Sequence, residues 1–291
     1  MSTLETALYD DFFYQSEDGL TLYARDYPAP SSDAQCVLLM HGLSRNSRDF
    51  ECLANRLSKR YRVLVAEQRG RGKSEWDTDP TRYAIPHYVS DMFALLEAAR
   101  VSRVATVGTS MGGLMAMVMN SVMPGVFSHV VLNDIGPELC DEGLNRIKGY
   151  VGQGEPVTTW AEAVAYNKRI NDVAFPTLSD DGWEQFTRQV FKEVNGVPVL
   201  DYDPRISEAV NAEDSDAVPP DLWPVFNLLA QQPLMLIRGA LSDLLDSRIT
   251  AEMQRRVPDM AYLEVANVGH APMLKDEAVI SAIEAFFSRQ S

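Results

Sequence analysis

Val104-Ala105-Thr106-Val107-Gly108-Thr109-Ser110-Met111-Gly112-Gly113-Leu114 is the stretch on which the reading of this chain turns. It opens as an unbroken apolar run rich in β-branched residues, the pattern of a parallel strand buried on both faces. It closes in a small-residue, methionine-rich stretch, Leu114 to Met123, that reads as a helix. Between the two lies Gly-x-Ser-x-Gly. A strand-to-helix turn this tight strains its central residue, and only glycine two residues to either side avoids colliding with it. The turn lifts a serine hydroxyl above the strand ends. It also aims a helix N-terminus at the place where negative charge would develop. The spacing matches neither G-x-G-x-x-G nor a lysine-containing phosphate loop, which argues against a nucleotide cradle.

Working outward, Cys36 to Met40, Val63 to Ala66 and Val130 to Leu132 show the same continuous apolar pattern. Amphipathic stretches separate them, such as Val89 to Arg100 with Met92, Leu95, Leu96 and Ala99 at helical spacing. Strands alternating with helices predict an α/β sheet covered by helices on both faces. Ahead of it, Phe12 to Gln15 and Thr21 to Tyr27 flank Asp18-Gly19 and predict an antiparallel hairpin. The rhythm breaks from Pro137 to Gln232, where amphipathic pieces (Trp160 to Ile170, Trp183 to Val194) alternate with joints at Pro176, Pro204 and Pro219-Pro220. A structureless loop of that length is implausible in a compact domain, so the segment predicts an inserted helical subdomain. Strands resume at Leu234 to Ile237 and Ala261 to Val265, and a helix over Glu277 to Ser288 closes the chain. The expected organisation is a core of residues 1–136 and 233–291 with a cap over 137–232.

Composition narrows the function. The 291 residues are 46% hydrophobic and 23% charged, with a net charge of −15. That is globular usage, and its acidity argues against nucleic-acid binding, since no basic run exceeds Lys59-Arg60 or Arg255-Arg256. Met1-Ser2-Thr3-Leu4-Glu5 has no basic or apolar leader pattern, and no apolar run is long enough to span a bilayer. Cys36, Cys52 and Cys140 show no paired spacing, so neither disulfide nor zinc site is expected. The expected setting is the cytoplasm, with a small-molecule ester, lactone or related acyl compound as partner.

A serine nucleophile needs a base. Of the four histidines, His129 opens a strand and His87 a helix, and His41 ends the first parallel strand where the backbone after it has another use. His270, in Gly269-His270-Ala271-Pro272 after the last strand, is the expected base. Two carboxylates sit at the same sheet edge to orient it: Asp243 after the resumed strand, and Asp134 after Val130 to Asn133. Asp243, giving the order Ser, Asp, His, is the preferred acid. Asp134 is the alternative and Asp246 a lesser rival. The amides of Met111 and Leu43 are the expected oxyanion donors.

Together these residues resemble the α/β-hydrolase family. The matching pieces are His41-Gly42, Gln68-Arg69-Gly70-Arg71-Gly72-Lys73-Ser74, Gly108 to Gly113, Arg238-Gly239 leading to Ser242-Asp243, and Gly269 to Pro272. The resemblance implies an eight-stranded, mostly parallel sheet with a helical cap after the sixth strand, and catalysis with no cofactor and no metal. Glu67 stands where the family usually has aspartate. A serine elbow of this type implies a carboxylic-ester or lactone hydrolase. The alternatives are C–C bond or amide hydrolysis by the same triad, with Lys168 or Arg169 supplying a cation from the cap, and a ligand receptor with slow hydrolysis. Trp160, Tyr166, Phe175, Trp183, Phe186 and Phe191 suggest an apolar roof, and of the elbow's methionines only Met111 is placed to touch substrate.

Overall fold

The structure, a computed structural model, describes residues 8–154, 156–212 and 221–289. The opening Met1 to Glu5 and the Pro219-Pro220 joint lie outside the described residues. The strands are β1 (Asp10–Gln15), β2 (Thr21–Tyr27), β3 (Cys36–Met40), β4 (Arg62–Glu67), β5 (Val104–Thr109), β6 (Phe127–Asn133), β7 (Phe191–Val194), β8 (Val197–Leu200), β9 (Leu234–Gly239) and β10 (Ala261–Val265). The helices are α1 (Glu51–Leu57), α2 (Ile85–Ala98), α3 (Met111–Val122), α4 (Asp141–Tyr150), α5 (Trp160–Asn171), α6 (Asp180–Val190), α7 (Ile206–Ala212), α8 (Trp223–Leu229), α9 (Ser247–Arg256) and α10 (Glu277–Phe287). Among the described residues, eight strands form one sheet in the order β1-β2-β4-β3-β5-β6-β9-β10. The pairs β1·β2 and β2·β4 are antiparallel; from β4 to β10 the neighbours run parallel.

The continuous apolar runs follow from burial on both faces. In β3, Cys36, Leu38 and Met40 pack on the side of α2, α3 and α9, while Val37 and Leu39 pack on the side of α1 and α10. In β4, Leu64 and Ala66 divide from Val63 and Val65 in the same way. With no solvent face there is no polar alternation. Because the register matches Met40 to Gly108 and Ala66, and Asn133 to Thr109 and Ile237, the carboxyl ends of β3, β4, β5, β6 and β9 form one edge.

Between β6 and β9 the chain leaves the sheet. The segment 137–232 is not uniform. Helices α5 and α6 build a separate apolar cluster around Trp183, Phe175 and Phe186, whereas Phe226 and Leu229 of α8 join the core beside α3. The helix expected to run to Val194 stops at Val190, and the chain turns into the hairpin β7–β8. The cause is Asn195-Gly196, both at positive φ (51° and 81°), the residue pair that favours a two-residue hairpin turn.

The Arg69 to Ser74 turn is tied into the fold by charge. The Arg69 guanidinium is almost wholly buried and meets Asp91 at 2.6 and 2.7 Å, Asp77 at 2.7 Å and Asp18 at 2.8 Å. Burial opposes ionisation of Asp91, and Arg69 is its compensating partner. Replacing only the cation strands these carboxylates, so Arg69→Met should lose about 3–5 kcal/mol of unfolding free energy. Urea titration measures this; a loss under about 1 kcal/mol, the range of an exposed pair, would show that the cluster contributes no more than surface ions.

Candidate active site

Ser110 caps the N-terminus of α3 with φ 52° and ψ −118°, a left-handed conformation that costs an L-residue energy. Packing explains the glycines around it. A Cβ on Gly108 would stand 2.5 Å from the Gly112 carbonyl carbon, and one on Gly112 would stand 2.2 Å from the Met40 carbonyl oxygen. The Ser110 amide donates to the Asn133 carbonyl at 3.0 Å, which pins the elbow to the neighbouring strand.

His270 comes to this serine from the loop after β10. Its Nε2 lies 2.8 Å from Ser110 Oγ, and its Nδ1 lies 2.8 Å from Asp134 Oδ2. A carboxylate only accepts, so Nδ1 carries the proton and Nε2 is left to accept from the serine hydroxyl. Asp134 is fully buried and firmly held. Its Oδ1 accepts from the Gly239 amide at 2.8 Å, and its Oδ2 also accepts from Ser242 Oγ at 2.6 Å. The Asn133 side chain donates to Thr109 Oγ1 and to the Pro272 carbonyl, joining the elbow to the histidine loop.

The preference for Asp243 is corrected here. Asp243 makes a two-pronged ion pair with Arg146 of α4 at 2.5 and 2.9 Å, and the carboxylate against His270 is that of Asp134. Burial raises the Asp243 pKa, but Arg146 more than offsets it and holds the carboxyl below its ordinary value. Ser242, one residue earlier, serves as a donor to Asp134. Asp246 caps α9 by accepting from the Ile249 amide at 2.7 Å.

The loop after β3 is held from three sides. His41 Nδ1 donates to the Gly42 carbonyl at 2.7 Å, and the Arg45 amide donates to that same oxygen at 3.2 Å. The peptide is planar and trans, so the Leu43 N–H points away from the anchored carbonyl. Arg71 Nε donates to the Leu43 carbonyl at 2.8 Å. Glu67, buried, accepts from Ser47 Oγ at 2.6 Å and the Lys73 amide at 2.6 Å, linking this loop to the Arg69 to Ser74 turn. Met111 opens α3, so its N–H has no acceptor within the helix. Its side chain is buried in the core, with Arg71 Nη2 at 3.9 Å from the sulfur, rather than lining the cavity over Ser110.

That cavity is bounded by the β3 loop, the histidine loop and the overhanging helices. Of the six aromatics expected above it, Tyr166, Phe175 and Phe186 line it; Trp183 and Phe191 are packed behind them, and Trp160 lies at the edge of their cluster. Lys168 pairs with Asp180 at 3.4 Å and Arg169 stacks near Tyr166, and neither is among the described residues that line the cavity. Its described cations are Arg45, Arg48 and Lys275. No helix among the described residues is long and apolar enough to cross a membrane.

Comparison with known proteins places this geometry. The family model described as the alpha/beta hydrolase family matches residues 37–282. The chain belongs to the alpha/beta hydrolase family. A 3-hydroxybutyrate-oligomer hydrolase of Cupriavidus necator is 34% identical over 264 residues, covering 88% of this chain and 89% of that protein. A 2-(acetamidomethylene)succinate hydrolase of Mesorhizobium japonicum is 26% identical, covering 86% of this chain and 88% of that one. The crystal structure of an alpha/beta hydrolase from Novosphingobium aromaticivorans superposes with a TM-score of 0.92 at 38% identity, covering 98% of this chain and all of that one.

Sequence reasoning gave this hydrolase's Arg71 and Glu67 no part in shaping the site, and passed over Arg45. Arg71 and Glu67 were visible only as members of a turn motif, and the partners through which they shape the site, Ser47 for Glu67 and Leu43 for Arg71, lie 20 and 28 residues away in sequence. His41 has a measurable signature. Burial lowers its pKa from 6.5 to about 3, while the unfolded chain protonates it near 6.5. Between those values the unfolded state holds the extra proton, so stability falls as pH falls. From pH 7 to pH 5 this group should account for about 2 kcal/mol of lost stability. Urea titrations at both pH values should therefore show a shallower pH dependence in His41→Gln; parallel dependences would mean that His41 titrates normally.

Proposed function

We propose that this chain is a serine hydrolase that cleaves a small carboxylic ester, and that Ser110, His270 and Asp134 carry the reaction. The observation that supports this reading is the continuous hydrogen-bonded line from Asp134 through His270 to Ser110, 2.8 Å at each link. In this scheme Ser110 Oγ attacks the acyl carbon while His270 Nε2 takes its proton. His270 returns the proton to the departing alcohol oxygen, and water then splits the acyl-serine by the same route. Asp134 fixes the imidazole tautomer and stabilises the imidazolium. The Leu43 and Met111 amides, with the N-terminus of α3, receive the oxyanion; one such donor contributes about 2.7–4 kcal/mol.

The relative at 34% identity is named for hydrolysing 3-hydroxybutyrate oligomers. We carry that substrate class over: a short oligoester of hydroxyalkanoic acids, held between the β3 loop and the aromatic roof. No step of the scheme calls for a metal or an organic cofactor.

Turnover of p-nitrophenyl butyrate and of a 3-hydroxybutyrate trimer tests the scheme. Ser110→Ala should lose about six orders of magnitude in kcat. Asp134→Asn should lose about 10⁴-fold, and Asp243→Asn less than about tenfold, because only the first carboxylate orients the imidazole. Comparable losses in the two aspartate variants, or an active Ser110→Ala, would refute the assignment.

A further inference from the structure

The chain carries a net charge of −15, yet the cavity over Ser110 is lined by Arg45, Arg48 and Lys275 against Asp49 and Glu51. The three cations are not equivalent. Arg48 is turned to the insert, with Nε on the Gln189 carbonyl at 3.0 Å and Nη2 on Asp201 at 2.7 Å. Lys275 is exposed and sits just before the N-cap of α10. Arg45 instead runs alongside the elbow. A Cβ built on Gly42 would lie 3.5 Å from Arg45 Cγ and 3.6 Å from Ser110 Cβ, so the arginine stem and the nucleophile flank the same glycine.

The head of Arg45 is fixed. Its guanidinium lies 4.3 Å from the centre of the Phe186 ring in the roof. Asp49 takes its Nε and Nη2 at 2.6 and 2.7 Å. A guanidinium has five N–H donors, and this fork uses one edge. The second edge, Nη1 with the other Nη2 hydrogen, matches a further carboxylate. A cation preset by an acid on one side and an aromatic face on the other loses little freedom when it binds.

We propose that Arg45 binds a free carboxylate of the substrate and so directs cleavage to the carboxyl end of an oligoester. The inference rests on the ester-hydrolase reading above. In such an oligomer the free carboxylate belongs to the alcohol half of the last ester bond. Ser110 Oγ bonds the penultimate acyl carbon, and the C–O bond to the terminal hydroxyacid breaks. That oxygen takes the proton from His270, and one hydroxyacid leaves. Water then hydrolyses the acyl-serine and releases the oligomer shortened by one unit.

The test compares kcat/KM for a 3-hydroxybutyrate trimer as the free acid, as its methyl ester, and with its hydroxyl end acetylated. The wild type should favour the free acid over the methyl ester by about 10- to 100-fold, the worth of one charge-assisted pair, and should be indifferent to acetylation. In Arg45→Gln that preference should collapse toward unity, and in Lys275→Gln it should persist. Early products should be monomer and dimer with the hydroxyl end on the dimer. In the wild type alone, butyrate should inhibit competitively and butyramide should not, a reading that does not depend on any variant folding. An unchanged preference in Arg45→Gln, equal losses on both substrates, or a preference that disappears with Lys275 would overturn the proposal. Ser110→Ala separates the two levels: if it stays active, the ester-hydrolase reading fails; if it is dead while the end preference ignores Arg45, only this inference fails.

Discussion

The organisation of the sheet's carboxyl edge depends on how closely α3 approaches β3. With Gly112 seated against the Met40 carbonyl, there is no room for even a methyl group between helix and strand. That contact fixes where α3 begins and holds Ser110 in its positive-φ conformation. Any side chain at Gly108 or Gly112 would push the helix away and undo both placements together.

Buried carboxylates then hold the loops that this packing brings together. Asp134 gathers the end of β9, Ser242 and His270 around one side chain, and Glu67 gathers Ser47 and Lys73 around another. Each replaces lost hydration with several fixed donors, the condition under which a buried charge is tolerated. Arg71 completes the arrangement by bonding outward to Leu43 and inward to Arg69 and Tyr88, so the β3 loop leans on the same turn that Arg69 anchors. The glutamate at 67, one methylene longer than the residue usual in the family, is thus a bridge between two loops.

The overhanging segment divides its work by depth. Trp183 and Phe191 hold it together, while Tyr166, Phe175 and Phe186 form the surface turned to the cavity. It is tied to the edge below by polar contacts: the Gly269 amide donates to the Ala174 carbonyl beside His270, and Arg146 reaches down to Asp243. Asp243 is therefore a tether for α4, and the acid that meets the histidine comes from the preceding strand of the sheet.

The positions of the sheet's strands along the chain, the elbow and the edge shared by Ser110 and His270 were legible in the sequence because they depend on local pattern: apolar runs, glycine spacing and a histidine placed just after a strand. The hairpin β7–β8 was also written locally, in Asn195-Gly196, just past the amphipathic piece Trp183 to Val194 and inside a segment read as a helical insert. The choice between Asp134 and Asp243 was not legible. Both follow neighbouring parallel strands at the same edge, and nearness in sequence points the wrong way: Asp243 is the nearer to His270 along the chain, yet Asp134, 136 residues away, meets the ring. Tertiary structure decided it by placing Arg146 where it captures Asp243, leaving Asp134 to meet the ring. The sequence by itself determined the α/β architecture and where along it the elbow serine and the histidine that meets it stand. Only the folded chain decided their partner, because side-chain pairing at a sheet edge is set by which helix lies across it.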